Sequence, residues 1–471
     1  MTELNIDCLN LIFKELRTDR VSLYPCLLVN KTWCSLIVPI LWEKHSWCLY
    51  HETSEKKLFN IIISSLPSTS KQILTDNNIN LPSTIISKPL TFNYISFCKF
   101  FESETIDKII RKLFNDKKLK YNKRNLLEQE IYKLFVSECN NIKELELHTS
   151  RPLPSFPGAL TFFSNINKLT IKIDCIEPNT LHEMAKFCIY LNELTVHNCS
   201  QDNSGLISLI DAQKNLKIVS LYPHNKKKIC EGLREAIGRK GGTINNLCLY
   251  SINIIPLISL YSLERLLIYN FEYYGGNSIE MKKFLQYLEV SKFPNLQFLN
   301  VLGLVCHKEL AMLIKNTEGN LLEISISSKR VKSVHVGIFI KSIADNCPKI
   351  KNLSFRITPE EFQLIKLILL NCRNLVKIKL DTLYYENDVI VGDELLDDLA
   401  KFSPKSLTKL TLSGNWKFSI EIFEKFLESC REHNLILFGI TNKTHITEEH
   451  KTIARKYVSE GVINEFKILC P

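Results

Sequence analysis

The chain has 471 residues, 45% hydrophobic and 23% charged, which excludes a wholly disordered chain, and its 15 glycines exclude a collagen-like one. No run approaches ~18 consecutive apolar residues, and the acidic, amphipathic start Met1-Thr2-Glu3-Leu4 has no basic region before an apolar core, so neither a membrane-spanning helix nor a secretory signal is expected. Sixty Lys and Arg against 50 Asp and Glu leave +10, spread thinly with modest concentrations at 108–124 and 226–240, whereas a nucleic-acid surface needs a dense stripe.

In chain order, residues 4–47 read as three short helices. Leu9, Ile12, Phe13 and Leu16 are spaced for one helix face. After the polar break at 17–20 come Leu23, Cys26 and Leu27, then Val29-Asn30-Lys31-Thr32-Trp33, Leu36-Ile37, a breaking Pro39, and Leu41-Trp42. Three helices in so few residues make a poor core alone, so the segment should carry surplus apolar surface and require a partner. The order Asp-x-Leu-x-x-Ile-Phe-x-x-Leu, then Leu-x-x-Cys-Leu-x-Val-Asn-Lys-x-Trp, then Leu-Trp resembles an F-box, most closely those of fungal F-box/leucine-rich-repeat families. The family usually opens Leu-Pro, where this chain has Leu4-Asn5. The resemblance implies docking on a Skp-type adaptor and through it a cullin. It carries over Leu9, Ile12, Phe13, Leu16, Leu23, Leu27, Val29, Trp33, Leu41 and Trp42 as the docking and core residues.

Residues 51–138 read as a helical linker, with helical periodicity at 54–66, 106–114 and 125–136. Pro67, Pro82 and Pro89 interrupt it, and 77–80 is the expected loop. Glu128, Glu130 and Glu138 are scattered among lysines and make no acid/base pair.

From residue 139 onward one phrase recurs: an apolar residue, two variable ones, an apolar, one variable, an apolar. It runs from Ile142/Leu145/Leu147 through Leu216/Val219/Leu221 and Ile350/Leu353/Phe355 to a weak last copy, Leu435/Phe438/Ile440. About twelve copies recur at a mean spacing of about 27 residues, within the range of leucine-rich repeats. The single-residue alternation points the last two apolar positions the same way, as a strand requires. Helical patterns lie between the phrases. In one of them Thr358-Pro359-Glu360-Glu361 forms a capping box with Pro in the first turn. The expected fold class is therefore α/β: an N-terminal helical module over 1–50, a linker over 51–138, and over 139–471 an irregular leucine-rich-repeat horseshoe with parallel strands inside, helices outside and a C-terminal helical cap. The array resembles the cysteine-containing class of these repeats. Cys199 and Asn415 match that family's Asn/Cys position, and His224, Phe271 and Lys329 do not.

Sixteen cysteines without a CxxC pair read as buried thiols of a reducing, intracellular compartment, cytoplasmic and/or nuclear. Five of them, Cys139, Cys188, Cys347, Cys372 and Cys430, fall where a helix meets the next phrase. His445 and His450 flank Glu448-Glu449 without the HExxH spacing and read as solvated helix polarity. His197 and Cys199 are too few for a tetrahedral metal site, and Gly241-Gly242 and Gly275-Gly276 lie in turns without a phosphate-binding motif. No catalytic constellation, metal or cofactor is expected.

The residue after the last apolar position is Tyr222, Tyr250 and Tyr269 in three consecutive copies, so parallel stacking should build a tyrosine ladder, with Arg265 and Phe298 nearby. Arg356, Lys377, Lys379 and Lys409 fall at the same face further along, and Glu144, Glu146 and Glu193 at the early end. A protein ligand with an aromatic-friendly centre and an acidic or phosphorylated end fits this pattern. The functional expectation is a substrate-recognition subunit of a Skp–cullin–F-box ubiquitin ligase. The alternative is a repeat scaffold with no role in ubiquitination. Neither nucleic acid nor membrane is an expected partner.

Overall fold

The computed structural model describes residues 4–43, 52–79, 81, 90–114, 121–199, 201–223, 230–250, 260–270, 279–327, 335–382, 389–433, 435–441 and 445–468. They divide into two units, one of residues 1–199 and 203–216, the other of 200–202 and 217–471.

The first unit opens with α1 (Ile6–Glu15), α2 (Arg20–Cys26) and α3 (Lys31–Glu43). Each start is capped by a short polar side chain that accepts an otherwise orphan amide. Asn5 Oδ1 accepts from Asp7 N at 3.2 Å, Asp19 Oδ1 from Ser22 N at 3.2 Å, and Asn30 Oδ1 from Trp33 N at 2.8 Å. Asn5 thus starts the first helix by capping, in the place where the family presets the turn with proline. Pro39 does not break the third helix, which runs through it. Ile37, Ile40 and Leu41, on both sides of the proline, are buried against Leu9, Phe13 and Leu23, and that burial outweighs the missing backbone bond.

Next come α4 (Glu52–Ser65) and α5 (Ser68–Asp76), then β1 (Phe100–Glu102), α6 (Ser103–Phe114) and α7 (Tyr121–Glu138). The turn at Asn77-Asn78, with Asn78 at φ 54°, falls where the loop was expected; Asn80, Pro82 and Pro89 lie outside the described residues. Glu130 is 2% exposed and accepts from Ser70 Oγ at 2.7 Å and Lys133 Nζ at 2.6 Å, so it ties α5 to α7. Three strands follow, β2 (Glu144–Leu147), β3 (Lys168–Lys172) and β4 (Glu193–His197). They alternate with α8 (Ala159–Ser164) and α9 (Pro178–Phe187), and α10 (Ser204–Ala212) closes the unit. All four strands pair in parallel, so the sheet begins one strand earlier than the repeat phrase indicates.

In the second unit the sheet strands are β5 (Ile218–Tyr222), β6 (Asn246–Leu249), β7 (Arg265–Tyr269), β8 (Phe298–Leu302), β9 (Glu323–Ser327), β10 (Asn352–Arg356) and β11 (Lys377–Asp381). A short pair, β12 (Ile390–Val391) with β14 (Trp416–Lys417), flanks β13 (Lys409–Ser413), after which come β15 (Leu437–Ile440) and β16 (Glu465–Ile468). The intervening helices are α11 (Glu231–Arg239), α12 (Ile279–Val290), α13 (His307–Lys315), α14 (Val336–Asn346), α15 (Phe362–Asn371), α16 (Asp393–Phe402), α17 (Ile420–Ser429) and α18 (Glu448–Ser459). Every sheet pairing is parallel, and the phrase residues stand opposite one another: Leu247↔Leu266, Leu299↔Ile324, Leu353↔Ile378, Leu410↔Phe438. All the phrase residues are buried, while the alternate positions face outward on what we term the open face. This is a leucine-rich-repeat-type α/β fold. The last described strand is β16, so α18, at the place of the expected helical cap, is followed by one more strand.

Recurrent asparagines, each one residue before a phrase, link successive repeats. Asn165, Asn295, Asn320 and Asn374 donate from Nδ2 to carbonyls of the preceding repeat at 3.2, 2.8, 3.0 and 3.1 Å. The Thr358 capping box forms as expected, with Thr358 N donating to Glu361 Oε2 at 2.9 Å. The five junction cysteines are buried. Burial pushes the thiols of Cys188, Cys372 and Cys430 up to about 12, which keeps them protonated and unreactive near neutral pH.

His450 is not solvated. It is 3% exposed, its Nε2 lies 3.1 Å from the Phe418 carbonyl, and its Nδ1 meets Thr447 Oγ1 at 2.7 Å in a capping box at the start of α18. His307 is buried too, edge-on to Phe339 at 5.4 Å. Burial, reinforced by His335, holds its imidazole down to about 4 from 6.5. Below pH 6.5 the unfolded chain takes up a proton that the folded one refuses until about pH 4. Stability should therefore fall by about 3 kcal/mol through that window and be unaffected above it. Urea unfolding at about pH 7 and about pH 4.5 measures the loss, and His307→Gln should shrink it.

Candidate binding surfaces

The first surface is the N-terminal module. Its core is Leu9, Phe13, Leu23, Ile37, Ile40 and Leu41, with Leu16, Cys26, Leu27, Trp33 and Trp42 packed against it half-buried. Trp33 meets Phe13 edge-on at 5.1 Å. Trp42 lies against Tyr94 at 4.5 Å, so it joins the module to the segment leading into β1. Of the ten carried-over residues, only Ile12 and Val29 are exposed, at 44% and 57%. The outer apolar surface comes mostly from side chains off the stripe: Leu4, Ile6, Leu11, Val21, Tyr24 and Leu28. Val21 and Tyr24 lie on α2 and Leu28 in the turn directly after it, and Val21 and Leu28 are 84% and 89% exposed, whereas Leu23 is buried and Leu27 half-buried. Leaving such side chains in water forgoes about 1.5–3 kcal/mol apiece relative to burial. Exposed apolar residues scattered singly are ordinary, whereas a large contiguous apolar patch is characteristic of interaction surfaces.

The second surface is the open face of the second unit. Tyr222 and Tyr250 stack at 3.8 Å with planes 17° apart, and Tyr250 and Tyr269 at 4.7 Å and 15°. All three rings are half-exposed. A hydrogen bond with Tyr222, then burial, hold the Tyr250 phenol well above its usual range, so it stays neutral. Leu302 continues this row on β8, through its register with Tyr269. Arg265 lies 4.0 Å above the Phe298 ring, but this pair sits at the opposite end of the strands. Arg265 precedes Tyr269 by four residues, which along a strand is about 13 Å, so the ladder and the cation–π pair are two patches on one face.

Further along the face, Arg356 Nε binds Asp381 Oδ2 at 2.9 Å, so its charge is already matched from within the sheet. Lys377, Lys379 and Lys409 are exposed and carry no ion pair among the described residues. On the open face of the first unit, Glu193 pairs with Lys168 at 2.8 Å and Glu146 with His148 at 3.2 Å. Burial, then repulsion from Glu102, raises the Glu146 carboxyl. In the basic stretch at 108–124, Lys108 pairs with Glu104, and Arg111 and Arg124 both hold Asp107; residues 115–120 lie outside the described residues. His224, Phe271, Lys329 and the 226–228 lysines lie outside the described residues. No described helix is long and apolar enough to cross a membrane.

No protein-family model matches the chain, and no curated protein does. Among solved structures it is similar to the leucine-rich repeat-containing protein LegL7 of Legionella pneumophila, at 12% identity and TM-score 0.31, covering 70% of this chain and 94% of that one. A Bacteroides fragilis protein matches at 12% identity and TM-score 0.25, covering 79% and 81%. The yeast complex of Rad7 and Elc1 matches at 13% identity and TM-score 0.30, covering 74% and 85%. The fold assignment stands on the strand register and the helix alternation described above.

The apolar residues of the module's outer surface were present in the sequence as hydrophobic side chains off the expected helix stripe, at 11, 21, 24 and 28. A stripe criterion discards them, although they are the ones left facing solvent. The Arg356–Asp381 pair needs the register of β10 against β11, which no local pattern encodes.

Proposed function

We propose that this chain is the substrate-recognition subunit of a Skp–cullin–F-box ubiquitin ligase. Residues 4–43 dock the Skp-type adaptor, and the open face of the second unit holds a protein substrate. The observation that carries the reading is the F-box-like order of residues on three capped helices whose outer side is apolar, above all at Val21, Tyr24 and Leu28. The stacked tyrosines support the second half, because aromatic rings held rigid by their neighbours offer contact area with little conformational freedom to lose. The chain itself performs no bond chemistry in this role. It raises the effective concentration of substrate lysines near a conjugating enzyme, an intramolecular advantage that reaches the millimolar range for short tethers.

Co-expression of the full chain with a Skp-type adaptor and a cullin, followed by size-exclusion chromatography, tests the reading. A stoichiometric complex is expected. A folded chain that elutes alone would sink the ligase role and leave a repeat scaffold that assembles protein partners without ubiquitination.

A further inference from the structure

Resting on the reading that the open face of the second unit binds a protein, we infer that Arg356, Asp381 and Ser413 seat the side-chain carboxamide of a glutamine or asparagine in the bound segment. The register sets the three in one row at the ends of β10, β11 and β13, Arg356 opposite Asp381 and Asp381 opposite Ser413. It is the row of the tyrosine ladder, which Leu302 and Ser327 carry on from Tyr269. Arg356 uses Nε to hold Asp381 Oδ2 at 2.9 Å, and the two side chains stay 18% and 25% exposed. A donor and an acceptor are left side by side, because Arg356 Nη2 and Asp381 Oδ1 have no protein partner among the described residues. Arg356 Nη1 and the hydroxyl of Ser413, a residue 8% exposed, are buried and unpartnered as well. Buried polar atoms without a partner are rare, since burial takes away water without replacing its hydrogen bonds. An ion pair that only joined two strands would not need them left open.

The class of ligand follows from the charge balance. An anionic group would meet Asp381 as well as Arg356, and an ammonium group would meet Arg356 as well as Asp381, so half of the pair repels either one. A carboxamide is neutral and carries an acceptor oxygen beside N–H donors, which answers the guanidinium and the carboxylate together. The pair is flanked along its row by the short side chains of Ser327 and Ser413. A chain resting at the height of the tyrosine rings therefore reaches the pair with a side chain, not with its backbone. Tyr269 and Arg356 are three strand steps apart, through Leu302 and Ser327. That is about 14 Å, or about four to five residues of extended chain.

The test uses the full chain and four pools of degenerate fluorescent peptides. Each has a fixed leucine for the ladder and, about five residues before or after it, a fixed glutamine, glutamate, lysine or alanine. Fluorescence anisotropy should show the glutamine pool bound about ten-fold tighter than the other three, as hydrogen bonds to charged groups allow. Asp381→Asn has nearly the same shape but leaves Arg356 unmatched, and it should switch the preference to glutamate. Arg356→Lys keeps the opposite charges but loses the fork, and it should bring the glutamine pool down to the alanine level. A thermal melt identifies a variant that fails to fold, and the other variant then decides. Equal binding of the glutamine and alanine pools, a wild-type preference for glutamate or lysine, or a glutamine preference that survives in a folded variant would each overturn the inference. Tyr250→Ala separates the two layers. If it weakens every pool while the fixed residue makes no difference, the binding face stands and the carboxamide site falls. If no pool binds the wild-type chain, both fall.

Discussion

Replacing Val21 and Leu28 together by glutamate should abolish capture of a Skp-type adaptor, weakening it by about a hundred-fold or more, while the melting profile of the chain stays unchanged. At 84% and 89% exposure neither side chain contributes to the module core, so the folded state has little to lose. On the adaptor each would lose burial of about 1.5–3 kcal/mol, and the pair together exceeds the ~2.8 kcal/mol that a hundred-fold represents. Desolvating two carboxylates in an apolar interface adds to that loss. Leu9 and Phe13 are the wrong residues for this experiment, at 6% and 1% exposure. A charge at either position would unfold the three helices and remove binding for a reason unrelated to docking. Pull-down with purified adaptor, paired with a thermal melt, distinguishes the cases. Wild-type affinity in the Val21→Glu, Leu28→Glu chain would place the docking surface elsewhere.

The largest effect on stability is expected at Trp416. Its ring is fully buried, stacked 5.6 Å from Phe362 and 6.0 Å from Phe418, and its Nε1 donates to the Ser413 carbonyl at 2.9 Å. A Cβ at Gly392 would come within 2.8 Å of the Trp416 ring and 2.4 Å of Phe418, so the corner has no spare volume. Trp416→Ala should cost about 4 kcal/mol through lost contacts and the cavity left behind. In a repeat array this loss is felt locally, because each repeat is held mainly by its neighbours. Amide exchange should accordingly accelerate about a thousand-fold across β12–β15 and much less in the first unit. Trp416→Phe keeps most of the ring and removes the donor, for a loss of about 1–2 kcal/mol. Uniform acceleration over the whole chain would show that the array opens as one body.

Much of the second unit was legible in the sequence because its strands carry a strict apolar phrase with both core positions on one face. The exceptions are instructive. β1 escaped because its phrase, Cys98-x-x-Phe101-x-Ser103, ends in a serine. That serine is buried and its Oγ accepts from the His148 amide at 2.7 Å, so a hydrogen bond takes the place of packing. β16 escaped although Ile463-x-x-Phe466-x-Ile468 fits the phrase, because its charged neighbours Glu465 and Lys467 resemble a tail. Pro39 was read by a local rule that tertiary burial overrode. Within the candidate site, the ladder followed from spacing alone, since in-register parallel strands bring equivalent residues side by side. The separation of Arg265 from it, and the loss of Arg356 to Asp381, depend on position along and across the strands.

The junction cysteines give this molecule a set of internal reporters. Each marks the seam between one helix and the next strand, and each thiol is protonated and shielded while its seam is closed. An alkylating reagent at mild alkaline pH therefore modifies Cys188, Cys372 or Cys430 only when that seam opens. Peptide mass spectrometry after timed exposure would read the opening of individual repeats in the wild-type sequence, with no label added. A bound ligand would appear as slower alkylation at the seams of the repeats it holds.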